Sequence, residues 1–304
     1  MNGLLVSLQD AVVQGVLWGI MVLGVYITYK LLDIADLTVD GSFAMGGCVC
    51  AVMILNFHVD PWIALGVAAV AGMAAGALTG LLHTIFEIPA ILAGILTQIG
   101  LWSINLRIMG GKSNIPLLKT ETIMSEFISA TGLSKQAAAV IIGIGLAVVM
   151  IVLLYWFFGT EIGSAMRATG NNQAMIRAQG VNTNWTKLLA LAISNGLVGF
   201  SGGLVCQSQK YADIGMGTGA IVIGLAAIVI GDVLMGKLRS FGSKLTSAVV
   251  GSVIYFVIRA LVLRMGMDAN DMKLLSAVIV AVALCVPVMA NKWRIRKAYT
   301  EGGE

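Results

Sequence analysis

Charge is scarce in this chain. Asp, Glu, Lys and Arg together make up 11% of its 304 residues, against 58% apolar residues, where soluble domains carry about 25% charged residues. With a mean hydropathy of +0.93, that composition excludes an ordinary soluble domain. Histidine is nearly absent: His58 and His83 are the only two, both near predicted helix ends, which leaves little material for a His-based triad or metal cluster. The four cysteines, Cys48, Cys50, Cys206 and Cys285, lie in apolar runs without metal-ligand spacing and read as small core hydrophobes. Period-2 alternation is lacking, which excludes a membrane β-barrel. The opening MNGLLVSLQDAVVQG has no basic n-region and no small-residue cleavage site, so no removable signal peptide is expected. "GGKS" at 110–113 lacks the glycine that a phosphate-binding loop needs four residues before its last Gly-Lys-Ser, where Leu106 stands. The chain is therefore expected to be neither an ATPase nor another enzyme, with no metal and no cofactor of its own, and nothing in it points to nucleic acid.

What remains is apolar and glycine-rich, with 37 glycines against four prolines. A spanning helix needs roughly 20 apolar residues. Candidates lie at about 5–29, 61–82, 89–109, 137–158, 186–207, 245–265 and 273–291, with shorter or glycine-interrupted stretches at about 42–57 and 218–235. The expected fold is all-α and polytopic, with about 8–10 transmembrane helices, because hydrocarbon forces each segment to satisfy its own backbone groups. Of the nineteen Lys and Arg residues, eleven fall on the side of the C-terminal tail NKWRIRKAYTEGGE, seven on the other, and Arg259 inside a span. The positive-inside rule then predicts a cytoplasmic tail, an outside loop at 110–135 and an outside N-terminus.

Between the first two spans stands "DIADLTVDGSFAMGG" (33–47), three aspartates at membrane level. It has a partial counterpart: "ADLTVDGSFAMGG" aligns with "ADIGMGTGAIVIG" when Asp36 is set on Asp213, and upstream "QGVLWG" at Gln14 echoes "NGLVGF" at Asn195. The predicted topology runs these stretches in opposite directions. Two inverted-topology halves with short broken helices are expected, about 5–158 and 186–291, separated by a cytoplasmic loop at 159–185 and followed by the tail at 292–304. Such repeats mark a transport pathway. Asp36, Thr38, Asp40, Ser42 and Asp213 are the candidates for pathway or gate. Asp40 or Ser42 is expected to cap the short helix that starts near Gly41, and Asp33, beside Lys30, to be a solvated end. Asp232 and Arg259 are read as possible structural partners of each other. Glycines spaced four apart, at 15 and 19, at 72, 76 and 80, and at 199 and 203, predict close helix packing.

The loop "GTEIGSAMRATGNNQAMIRAQGVNTNWTK" (159–187) carries two helix-forming stretches around a Gly-Asn-Asn break, and loops this long between spans are usually functional or disordered. Its Ala and Met content predicts two short helices suited to a groove on a soluble motor. An ordinary positive-inside role serves equally well for Arg167 and Arg177, and helix termination for the glycines.

"GSAMRATGNNQAMIRAQGVNTNW" resembles the cytoplasmic loop of the branched-chain amino acid (LivH-like) family of ABC-importer permeases, through Gly163, Arg167-Ala168, Met175 and Gly180-Val181-Asn182-Thr183. The likeness covers most of the chain. In place of the amide, aromatic and histidine pattern usual after the opening helix, this chain has Asp-Leu-Thr-Val-Asp-Gly-Ser, similar to a subgroup linked to aromatic amino acid uptake. The resemblance implies a permease subunit of the bacterial cytoplasmic membrane, paired with a second copy or paralogue. It further implies two cytoplasmic ATPase subunits, which hold the ATP and Mg, and an extracytoplasmic solute-binding protein. Gly163, Arg167, Gly170, Asn171, Gly180 and Asn182 would then shape the ATPase contact. An ion-coupled secondary transporter is the alternative, for which inverted repeats and intramembrane aspartates would serve as well but the long loop would not be needed.

Overall fold

The computed structural model describes residues 2–118, 120–235 and 240–265, together with 271, 274, 276–282, 285 and 289. Helix α1 (Asn2–Tyr26) runs into a π-helical turn at Ile27–Leu31 and is followed by α2 (Thr38–Asn56), α3 (Pro61–Thr84) and α4 (Ala90–Ile108). Then come β1 (Asn114–Pro116), α5 (Ile123–Thr131), α6 (Lys135–Gly159), α7 (Glu161–Asn171) and α8 (Gln173–Ala178). The described chain continues through α9 (Thr183–Gln209), β2 (Tyr211–Asp213), α10 (Ala220–Met235) and α11 (Phe241–Arg264). Among the described residues seven helices are long and apolar enough to cross a bilayer: α1, α2, α3, α4, α6, α9 and α11. Helix α10, with 16 residues, falls short. The protein is an all-α polytopic membrane protein.

The sequence makes the second span too short. Its helix begins at Thr38, not beyond Gly41, because the polar residues 38–42 are held inside the protein. The span expected at 273–291 is described only in part, with 276–282 helical. The tail 292–304, residues 236–239 of the preceding loop and Lys119 lie outside the described residues.

Helices α1 and α9 form the buried centre. Helix α1 packs on α11, α9 and α6, and α9 packs on α3 and α2. Lipid is as apolar as leucine, so helices associate here through close backbone approach and interhelical hydrogen bonds. Both devices are present. An added Cβ on Gly15 or Gly19 of α1 would strike Val253 or Val249 of α11. On α9, one at Gly199 would strike the Ala68 carbonyl of α3. Three buried serine hydroxyls donate across helices to carbonyls of α1, each at 2.8 Å: Ser194 to Gly24, Ser201 to Leu17 and Ser252 to Gly15. Outward, α4 and α6 expose Leu96, Ile99, Val152 and Trp156, as helices facing lipid do.

The two ends of the bundle differ. At one end β1 and β2 pair antiparallel, Asn114 opposite Asp213, next to the 110–135 loop. At the other, α6 turns directly into α7 and α8, which fold back beneath the bundle.

Candidate functional site

The aspartates at 33–47 separate into three environments. Asp33 is exposed in a left-handed conformation (φ 56°) and makes no ion pair with Lys30, whose ammonium lies 2.8 Å from Asp232 instead. Asp36 is 1% exposed. One carboxylate oxygen accepts the Thr38 backbone N–H at 2.9 Å, and the other accepts the Asn195 side-chain amide from α9 at 2.6 Å. The Thr38 hydroxyl lies 2.7 Å from that of Thr79, which in turn lies 2.9 Å from that of Thr97, so a buried ladder of hydroxyls ties α2 to α3 and α4. Ser42 is buried, with no hydrogen-bond partner for its hydroxyl among the described residues.

Asp40 overturns the expected cap. Neither Asp40 nor Ser42 caps α2; Leu37 occupies the cap position and Asp36 takes the free N–H of Thr38. With α2 already under way, the Asp40 side chain points sideways and accepts the backbone N–H groups of Gly219 and Ile221, at 2.8 and 2.9 Å. It caps α10, 180 residues downstream, by the same logic that favours a carboxylate at a helix start.

Asp213 lies on β2, which packs against α2. Its local geometry repeats that of Asp36: a side-chain oxygen accepts the N–H of the residue two positions on, Gly215, at 2.8 Å, while the other accepts the Asn114 amide at 3.2 Å. Asp36, Asp40 and Asp213 thus have separate hydrogen-bond partners.

A cavity of about 1120 Å³ does open at the strand end, between α1, α9, α10 and α11. Gln14, Trp18, Gln209, Thr218, Phe256 and Arg259 are among its lining residues. The Gln209 amide donates to the Gln14 side-chain oxygen at 3.3 Å. Trp18 lies between Phe43 and Phe256, with ring centroids 4.4 and 5.5 Å away, and its buried Nε1–H has no partner among the described residues. The Arg259 guanidinium stands 5.7 Å from the centre of the Phe256 ring. Arg259 therefore serves the cavity, and its expected partnership with Asp232 is not formed. The sequence signals for this site were an amide at Gln14 and a charge inside a span at Arg259; Trp18 carried none.

At the other end the two short helices form as expected. Gly163 packs against the Phe157–Phe158 backbone, and Gly170 against the Leu31 carbonyl. The Arg167 guanidinium lies 5.4 Å from the centre of the Phe241 ring. Asn171 and Gly180 are exposed, the latter at φ +85°, and the Asn182 side chain caps α9 by accepting from Asn184 and Trp185 at 3.0 and 3.2 Å. Asn172, between the helices, caps α8 through Met175 at 3.0 Å. Among the described residues no group of three His, Cys, Asp or Glu side chains is placed to hold a metal.

Comparison with known proteins agrees with this architecture. The chain is 38% identical over 267 residues to a tyrosine transport system permease protein of Clostridioides difficile, covering 88% of this chain and 86% of the relative. A ribose import permease protein of Escherichia coli K12 is 25% identical over 254 residues, 83% of this chain and 76% of its own. An inner membrane ABC transporter permease protein of the same strain is 26% identical over 204 residues, 66% of this chain and 60% of its own. The sequence profile described as "Branched-chain amino acid transport system / permease component" matches residues 7–284, and the chain belongs to that family: it is the membrane-embedded permease component of an ABC transport system, not the ATPase.

Proposed function

We propose that this permease carries an aromatic or similar amino acid inward, from an extracytoplasmic binding protein through the cavity at the strand end, driven by ATP and Mg bound in two cytoplasmic ATPase subunits. A second copy or paralogue of the chain completes the pathway. The strand end faces outside and the α7–α8 end, with the C-terminal tail, faces the cytoplasm. The cavity carries this reading: an α-amino acid needs a cation for its carboxylate and an apolar surface for its side chain, and Arg259 with Trp18 and Phe256 supply both. The tyrosine named for the relative in C. difficile supports an aromatic side chain.

The two halves act as an inverted repeat in this reading. Helix α1 of the first half packs on α11, and its counterpart α9 packs on α3, an exchange that a pseudo-twofold relation requires. Asp36 and Asp213 make the same two-residue turn. Near the middle of α9, Asn195 ties the halves together through Asp36, whereas Gln14, its counterpart, faces the open cavity. The arrangement fits a pathway open outward and closed inward. Gly163, Arg167, Gly170, Asn171, Gly180 and Asn182 shape and present the α7–α8 face to the ATPase. Gly163 and Gly170 do so by seating the helices, and Asn171 and Gly180 by standing at the surface.

Reconstitution into liposomes with and without a candidate ATPase, with ion gradients collapsed, tests the proposal. Uptake of a labelled aromatic amino acid should require the ATPase, ATP and the binding protein. Uptake that persists without an ATPase would sink it.

A further inference from the structure

A second cavity, of about 560 Å³, lies at the α7–α8 end, roofed by the turn between α8 and α9 and floored by the end of α3. Its walls include His83, Glu87, Arg177, Asn182, Thr183 and Lys187. Lys187 decides what the cavity is for. Its side chain is only 9% exposed, it lines the cavity, and its ammonium has no hydrogen bond or ion pair among the described residues. The stem of Lys187 is packed against the protein while its ammonium reaches the cavity without a counter-ion, which leaves it available to an anion.

Arg177 and the start of α9 share its sign. The Arg177 Nε–H donates to the Thr183 hydroxyl at 2.6 Å, which holds the guanidinium at the cavity while leaving its terminal nitrogens uncommitted. The 27-residue helix α9 begins at this point with Asn182 as its cap, adding the partial positive charge of a helix start. His83 is fixed through Nδ1, 2.9 Å from the Ile88 carbonyl oxygen, and Glu87 is the one acid among the lining residues, forming no ion pair with either cation. Ile85 and Phe86, next to Thr84, and Trp185, next to Asn184, are 63%, 67% and 58% exposed. An aromatic and apolar rim of that kind sits at a membrane interface.

We propose that this cavity is a binding site for a phosphate group, supplied by the headgroup of an anionic phospholipid or by free phosphate, with Lys187 and Arg177 as its cationic ligands. Occupation draws α8 and the start of α9 together against α3. The proposal needs neither the substrate reading above nor the ATPase.

The full-length protein, purified and delipidated in detergent, is tested by native mass spectrometry and thermal unfolding with three probes: phosphatidylglycerol, diacylglycerol of the same acyl chains, and inorganic phosphate. Phosphatidylglycerol should form adducts and raise the unfolding temperature where diacylglycerol does not. Lys187→Met and Arg177→Gln should each weaken that binding about tenfold or more, with Lys112→Gln, at the opposite end, unchanged. If Lys187→Met fails to fold, Arg177→Gln alone carries the comparison. Stabilisation by millimolar inorganic phosphate that both substitutions abolish identifies free anion as a source; stabilisation by phosphatidylglycerol alone identifies lipid. Equal binding of phosphatidylglycerol and diacylglycerol, no binding of either phosphate probe, or phosphatidylglycerol binding that survives Arg177→Gln overturns the proposal.

Discussion

The Asp40 carboxylate of α2 receives the first free N–H groups of α10, from Gly219 at 2.8 Å and Ile221 at 2.9 Å. The Cβ that Gly217 lacks would collide with the Asp40 carbonyl, so side chain and backbone of one residue fix the position of a short helix far along the chain. Capping side chains are worth about 0.5–2 kcal/mol. Asp40→Ala should lower the unfolding temperature of the detergent-solubilised protein by several degrees, and Asp40→Asn, which keeps one carbonyl acceptor, by less. An Asp40→Ala protein that unfolds with the wild type would refute the cap.

Asp36 and Asn195 form a second long-range contact, 1% and 0% exposed, joined at 2.6 Å. Asn195→Leu removes one of the donors on a buried carboxylate, and leaving such a group short of a partner costs about 1–3 kcal/mol. Asp36→Asn keeps the volume but turns an acceptor of two N–H groups into a half-donor. A double-mutant cycle should give a coupling of about 1 kcal/mol or more, and additive effects would show that the pair is not energetically linked.

Much of this was legible in the sequence. Long apolar runs set the spans of α1, α3, α4, α6, α9 and α11 within a few residues, since hydrocarbon admits few alternatives to a helix of that length. The two short helices at 161–178 followed from the Gly-Asn-Asn break, where Asn172 does cap α8. Asp40 was misread because a cap was assumed to serve the helix beside it in sequence; its partner 180 residues away depends on how α2 and α10 cross. Trp18 carried no signal in the sequence, because its place between Phe43 and Phe256 depends on how α1, α2 and α11 pack. Likewise, the distance from Lys30 to Asp232 in the chain gave no hint of their pairing.

That ion pair decides little. Lys30 and Asp232 are joined at 2.8 Å but their side chains are 41% and 38% exposed, and exposed pairs contribute about 0–1 kcal/mol. Lys30→Met and Asp232→Asn should each leave the unfolding temperature nearly unchanged in 150 mM salt. A large loss in either would show that the pair lies deeper in the membrane than its exposure implies.

The glycines of the α7–α8 face separate seating from coupling. Gly170 lies against the Leu31 carbonyl, where an added Cβ has no room, so Gly170→Ala should impair folding of the permease expressed without any ATPase. Gly180 sits at φ +85° in open space, and Gly180→Ala should cost about 1–2 kcal/mol from backbone strain alone. Asn171→Ala disturbs neither and should leave stability unchanged while lowering substrate-stimulated ATP hydrolysis in the assembled transporter. Coupling unaffected by Asn171→Ala would remove it from the ATPase contact.

Trp18 provides the sharpest test of the cavity at the strand end, because its stability and function effects point in opposite directions. The indole ring packs between Phe43 and Phe256, yet its N–H is buried and unpaired. Deleting an unsatisfied buried donor relieves a desolvation penalty of about 1–3 kcal/mol, while the smaller ring loses part of that in packing. Trp18→Phe should therefore unfold at a temperature near or above the wild type. If the N–H waits for the carboxylate or ring of the solute, the same substitution should reduce ATP-driven uptake several-fold, and Arg259→Gln should reduce it further by removing the cation. A Trp18→Phe permease that is both as stable and as active as the wild type would leave the indole a packing residue and move the substrate contact elsewhere in the cavity.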